Sequence, residues 1–107
     1  MVCSAAMEGR EEALQRTEQE IRAEKAATLG RAGERLEQSL AAAADIRRAL
    51  DAAADPAART RLRADYEAAR RRALDARRIL IIQREAIGLR NHRLVDQQFP
   101  EPPPLPA

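Results

Sequence analysis

Aromatic residues, cysteine and long apolar runs are nearly absent from this 107-residue chain, and each absence excludes a class of protein. Tyr66 and Phe99 are the only aromatic residues, and there is no tryptophan. Cys3 is the only cysteine, so an intrachain disulfide is impossible. No apolar run approaches the roughly 18 residues that a membrane-spanning helix needs. We therefore expect one domain at most, without disulfides and without a membrane span.

Strand formers and glycine are also scarce, whereas helix formers dominate. Alanine occupies 24 positions and arginine 18, and five of the six prolines lie between 100 and 106. Alanine is the strongest helix former, and arginine, glutamate and leucine follow closely. No segment alternates apolar and polar residues as a half-buried strand does. The composition therefore predicts an all-α protein.

The dipeptide Asp55-Pro56 divides the helical region in two. Proline disfavours helical backbone at the preceding residue, and it is well tolerated as the first residue of a new helix. Aspartate is a favourable N-cap because its carboxylate accepts hydrogen bonds from the free amides of the first turn. We therefore predict a turn at 53–56 that joins two long antiparallel helices over residues 8–97, in a coiled-coil-like hairpin.

The two ends of the chain are predicted to lie outside this hairpin. Residues 1–7 are expected to form a flexible arm, and the proline-rich residues 98–107 an extended polyproline II tail. Within the first helix, Gly30 and Gly33 are expected to leave room for Ile82 and Ile79 of the second helix. The alternative is a break at 30–33, which would give three helices.

The surplus of bulky apolar residues in the second helix predicts association with another chain. The run Ile79-Leu80-Ile81-Ile82 is apolar in nearly every direction, and one partner helix cannot cover it. A two-fold dimer that completes a four-helix bundle would bury this surface, and the alternative is a different protein that covers the same patch. The predicted self-association residues are Leu74, Ile79, Leu80, Ile81, Ile82, Ile87 and Leu94.

Charge is unevenly divided between the two helices. Residues 1–55 carry 8 basic and 11 acidic side chains, whereas residues 56–107 carry 11 basic and 6 acidic ones. Four of the arginines, Arg63, Arg70, Arg77 and Arg84, recur every seven residues beside the apolar stripe, which their stems are expected to cover. The alternative is an anion or nucleic-acid contact through Arg63, Arg70, Arg71, Arg77 and Arg78, although no aromatic platform for bases accompanies them.

The tail carries a second candidate for binding. Its segment Phe99-Pro100-Glu101-Pro102-Pro103 looks like the short proline-rich ligands of EVH1-type domains, and Pro-x-x-P is an SH3-type pattern. The candidate ligand residues are Phe99, Pro100, Pro102 and Pro103. The alternative is a tail that is disordered or that lies extended on a neighbouring surface.

No pattern in the sequence points to catalysis, a metal or a cofactor. His92 is the only histidine, and the residue three before it is Leu89, so the Glu-x-x-His motif of di-iron bundles is missing. There is no glycine-rich phosphate loop, and Cys3 is expected to be an ordinary exposed thiol. We therefore expect a non-enzymatic protein.

The plan of a charged helical hairpin of this length is similar to that of bacterial secretion-associated proteins such as type III needle subunits and export stalk proteins. The turn, Ala54-Asp55-Pro56-Ala57, lacks the Trp-x-Gly of the WXG100 secreted hairpins. The resulting hypotheses are a self-associating scaffold or adaptor, a nucleic-acid-binding protein, or an export-associated chaperone or structural component. The absence of a signal-peptide pattern favours the cytoplasm, and the alanine and arginine content favours a bacterial source.

Overall fold

The computed structural model describes residues 2–106 and the side chains of residues 5–106. Helix α1 spans Val2–Ala52, α2 spans Pro56–Ala86, and a short α3 spans Arg93–Gln98. No strand occurs in residues 2–106, so the prediction of an all-α helical hairpin is confirmed. The molecule is a rod with extents of 84 × 22 × 15 Å.

Side chains cap both helices at the hairpin turn. Asp55 has extended backbone, and its Oδ2 accepts a hydrogen bond of 2.9 Å from the backbone N–H of Ala58. Arg59 donates to the carbonyl oxygens of Leu50 and Ala53, at 2.9 Å each. The Leu50 carbonyl also accepts from the Ala53 N–H at 3.2 Å. Arg59 therefore adds a second bond there and supplies a donor to the Ala53 carbonyl, which lies just beyond the end of α1.

Alanine and leucine side chains fill the interface between α1 and α2. One cluster, nearer the open end of the hairpin, joins Ala32 and Leu36 of α1 to Ala76 and Leu80 of α2. A second cluster, nearer the turn, contains Ala43, Tyr66 and Ala69, and half-buried Ile46 packs against it. Small side chains bring the two backbones close together but bury little area per residue, so larger residues from elsewhere in the chain add to both clusters.

Helix α2 ends eleven residues earlier than the sequence analysis predicted, because Gly88 terminates it. Gly88 has φ of +90°, a left-handed conformation that glycine adopts without steric cost. The Leu89 N–H bonds to the Arg84 carbonyl at 2.9 Å and the Gly88 N–H to the Glu85 carbonyl at 3.0 Å. This pair of bonds is the Schellman motif, which ends a helix and turns the chain away from its axis. The prediction of helix up to residue 97 is therefore wrong, and residues 93–98 form α3 instead.

Helix α1 is longer than predicted, and the alternative of a break at 30–33 is wrong. It begins at Val2, so residues 2–7 belong to the helix and not to an arm; they contain neither proline nor glycine to stop it. Gly30 and Gly33 interrupt nothing, and a Cβ at either position would meet no atom within 4 Å. The expectation that they accommodate isoleucines is therefore wrong. Met1, Ala107 and the Cys3 side chain lie outside the described part of the structure.

The unequal helix lengths leave part of α1 without α2 beside it. α1 has 51 residues and α2 has 31, a difference of about 30 Å at 1.5 Å per residue. Every side chain from Ala5 to Ala27 is exposed. We call residues 5–27 the overhang.

Gly30→Ala and Gly33→Ala should each stabilise the protein by about 0.5–1 kcal/mol. Both positions are helical and have space for a methyl group, so alanine removes backbone entropy from the unfolded chain without a clash. Urea unfolding followed by circular dichroism measures the change. Gly88→Ala is the matched control and should destabilise, because its φ is positive. A loss of stability at Gly30 or Gly33 would show that the helix requires glycine there.

Asp55→Ala should destabilise the protein by about 1 kcal/mol, because it removes the N-cap of α2. Asp55→Asn keeps a side-chain oxygen at the cap and should recover most of the loss. The midpoint of urea unfolding reports both variants. Equal stability of the alanine and asparagine variants would mean that the cap contributes nothing to the turn.

Candidate functional site

The C-terminal segment, residues 89–106, folds back along α2 and is held by the arginines that recur every seven residues. At the open end, Arg84 donates to the Asn91 carbonyl at 3.0 Å. Two helical turns closer to the hairpin turn, Arg77 of α2 forms ion pairs with Asp96 and with Glu101, the latter at 3.5 Å. Val95 of α3 is buried in the same cluster as Leu36 and Leu80, so α3 covers that end of the α1–α2 interface.

The proline-rich tail, residues 99–106, continues along the same face of α2 towards the hairpin turn. Arg70 Nε donates to the Pro102 carbonyl at 2.9 Å, and Arg63 donates to the Pro106 carbonyl at 3.0 Å. Between them, the buried Tyr66 hydroxyl donates to the Pro103 carbonyl. All four of the heptad-spaced arginines thus bind the C-terminal segment of their own chain.

The tail turns every third residue towards the helices. Phe99 is half-buried against the first cluster, Pro102 is buried, and Leu105 is half-buried against the second cluster. The residues between them are exposed. This period of three matches the three residues per turn of polyproline II, and it places Phe99, Pro102 and Leu105 on one face of the tail. Of the predicted ligand residues, Phe99 and Pro102 are therefore engaged within the chain, whereas Pro100 and Pro103 have exposed side chains.

The predicted anion-binding arginines separate into two groups. Arg63, Arg70 and Arg77 bind the C-terminal segment. Arg71 and Arg78 are exposed, and Arg78 forms an ion pair with its helical neighbour Asp75. Arg63, Arg70 and Arg77 are therefore engaged within the chain. Arg71 and Arg78 are accessible for contacts with other molecules.

A shallow groove of about 820 Å³ on α2 brings together members of both predicted surfaces. Leu74, Ile81 and Ala68 supply its apolar part, and arginines supply most of its charge. Its charged lining residues are Arg71, Arg72, Arg77, Arg78, Asp75 and Glu101. The sequence analysis treated self-association and anion binding as alternatives, whereas the structure places residues of both at one site. We call this site the arginine groove.

The remaining predicted self-association residues differ in accessibility. Leu80 is only 5 % exposed, because Val95 and Phe99 pack with it inside the chain. Exposed positions near the open end include Ile79, Ile82, Ile87 and Leu94. The sequence analysis missed Met7, Leu14 and Ile21, which are 61 %, 63 % and 45 % exposed. Leu14 lies on the same face of α1 as the buried Ala32 and Leu50, and α2 ends before it reaches Leu14.

His92, the sole histidine, makes structural contacts at both ring nitrogens. His92 accepts from Arg84 at Nδ1, at 3.4 Å, and its Nε2 lies 3.0 Å from Glu85. Among the side chains of residues 5–106, no three histidine, cysteine, aspartate or glutamate residues converge on a possible metal position. No helix in the described part of the chain is long and apolar enough to cross a membrane.

Comparison with protein-family models, with curated proteins and with solved structures finds no match for this chain. The functional argument therefore depends on the surfaces described above.

Arg70→Ala should weaken docking of the tail and destabilise the protein by about 1–2 kcal/mol, because it removes a charged hydrogen-bond donor to the Pro102 carbonyl. Arg61→Ala is the matched control and should change stability by less than about 0.5 kcal/mol, since that side chain is exposed. Fluorescence of Tyr66, the sole tyrosine, reports the surroundings of the docked tail. Identical spectra and stabilities for the two variants would contradict the assigned role of Arg70.

Proposed function

We propose that this protein is a non-enzymatic cytoplasmic scaffold or adaptor that self-associates through the overhang of α1. The supporting observation is a single line of side chains along α1. Leu14, Ala32 and Leu50 are spaced 18 residues apart, which is five helical turns, so they lie on one face. Ala32 and Leu50 are 6 % and 2 % exposed, whereas Leu14 is 63 % exposed. The face that packs on α2 therefore continues beyond α2 without a cover.

An uncovered apolar stripe on a lone helix favours association. Most helix stability in proteins comes from packing of an apolar face, and the overhang has no such packing within the chain. Met7, Leu14 and Ile21 repeat every seven residues, as residues at a helix–helix interface do. A second helix beside them would extend the α1–α2 interface by about 21 Å.

A second copy of the chain supplies a surface of suitable length and charge. The overhang carries four basic and six acidic residues, a net charge of −2. The arginine groove is lined by four arginines, one aspartate and one glutamate, a net charge of +2. The apolar line Met7–Ile21 of the overhang extends for about 21 Å, and the lining of the groove from Ala68 to Ile81 extends for about 20 Å along α2. In a two-fold dimer each overhang would pack against the partner's groove, so the same contact would form twice.

This arrangement modifies the interface proposed from the sequence. Leu74 and Ile81 stay in it as lining residues of the groove, and Leu80 leaves it because the chain's own α3 covers that residue. Arg71 and Arg78 take the role of partners for acidic side chains of the overhang. The resulting assembly brings two hairpins side by side as a four-helix arrangement.

The arginine groove is also the feature that supports the nucleic-acid alternative. Asp75 and Glu101 lie within it and reduce its attraction for phosphates, and no aromatic side chain lines it for stacking on bases. If the protein is an export component, a different protein would pack against the same overhang. We favour the second copy because its acidic overhang complements the groove in charge and in length.

Leu14→Asp should shift the protein from dimer to monomer at micromolar concentration, because it places a charge at the centre of the proposed interface. The hairpin should stay folded, since Leu14 is exposed within the chain. Sedimentation velocity gives the mass, and circular dichroism gives the helix content. Gln19→Asp is the matched control on the opposite side of the overhang and should remain dimeric. A wild-type chain that sediments as a folded monomer would refute self-association.

A further inference from the structure

We propose that the groove between α1 and α2 beside Tyr66 is a receptor for proline-rich peptides in the polyproline II conformation. The chain's own tail occupies it and acts as an internal competitor. The groove is lined on the helix side by Leu40, Ala41, Ala44, Arg47, Arg48 and Tyr66, and about 550 Å³ of open space remains along the docked prolines. This activity is separate from self-association through the overhang.

The hydrogen-bonding groups of the receptor match the chemistry of a proline-rich chain. Proline has no backbone N–H, so such a peptide offers mainly carbonyl oxygens, and in polyproline II none of them has an internal partner. The receptor presents donors only: the guanidinium groups of Arg63 and Arg70 and the hydroxyl of Tyr66. Three of the tail's carbonyls accept from these three groups, which lie on one face of α2 at spacings of three and four residues.

The apolar contacts supply selectivity for spacing. Phe99, Pro102 and Leu105 enter the surface at intervals of three residues, and the two end residues contact different apolar clusters. A ligand therefore needs an apolar residue, a proline three positions later and a second apolar residue three positions after that. Polyproline II is already extended in the unbound peptide, so little conformational entropy is lost when it docks. A separate proline-rich peptide of this pattern therefore has the same recognition chemistry as the chain's own tail.

The link between the tail and α3 explains why the groove is filled in the isolated chain. A tethered segment competes at an effective concentration in the millimolar range, so a free peptide binds only to the fraction of molecules whose tail is undocked. Substitutions in the tail that weaken its docking should therefore open the groove without altering it.

The test uses the full chain with Phe99→Ser and Leu105→Ser, which removes both apolar anchors of the tail and leaves every groove residue in place. The ligand is a fluorescent synthetic peptide with the sequence of residues 98–107. We expect it to bind the variant at least about tenfold more tightly than it binds the wild-type chain, because the internal competitor is weakened. A peptide that carries serine at both anchor positions should not bind. Leu105→Ser alone, at the end of the tail, is the second receptor if the double variant does not fold.

Groove substitutions in the same receptor separate specific docking from general adhesion. Adding Tyr66→Phe or Arg70→Ala should weaken peptide binding several-fold, whereas Arg61→Ala, exposed and outside both grooves, should leave it unchanged. Three results would overturn the proposal. The first is that the peptide does not bind a folded tail variant. The second is that the serine-substituted peptide binds as tightly as the original peptide. The third is that Tyr66→Phe and Arg70→Ala leave the binding unchanged.

Discussion

The position at which α2 ends determines the exposed surfaces of this protein. Gly88, in left-handed conformation, stops α2 at Ala86 while α1 runs on for the length of the overhang. The same turn sends the chain back along α2, where α3 and the tail cover the α1–α2 interface. A second helix that continued to residue 97 would have run beside Ile21 and reached about as far as Leu14, and it would have left the arginines without the tail. One glycine thus accounts both for the uncovered stripe and for the docked C-terminal segment.

The C-terminal segment compensates for an interface built mostly from alanine. Ala43, Ala69, Ala73 and Ala76 allow close approach of the helices but bury little area, and Val95, Phe99 and Leu105 add larger apolar groups to the same clusters. The arginines then provide donors for a segment that has almost no hydrogen bonds of its own. A side chain that reaches from α2 to a proline carbonyl satisfies a group that secondary structure leaves free.

Local chemistry explains which parts of this fold could be predicted from the sequence. The Asp55-Pro56 turn depends on residues adjacent in the chain, and the buried stripe of α1 depends on helical period, so both are readable without a structure. Gly88 is also a local signal, but it lies among apolar residues that continue the helical pattern and conceal it. The docked tail depends on hydrogen bonds between residues 32 to 43 positions apart. Two features of the sequence relate to this docking: the arginines at intervals of seven and the apolar tail residues at intervals of three. Neither pattern alone indicates that the arginines bind the tail.

Hydrogen exchange across α1 as a function of protein concentration tests the proposed interface most directly. The segment 29–50 packs against α2 within the chain. The protection of its amides from hydrogen exchange should therefore be the same at every protein concentration. Amides of the overhang should be protected at concentrations where the dimer forms and should exchange rapidly on dilution. If overhang amides exchange equally fast at all concentrations while the rest of α1 stays protected, the uncovered stripe is not an interface between copies of this chain.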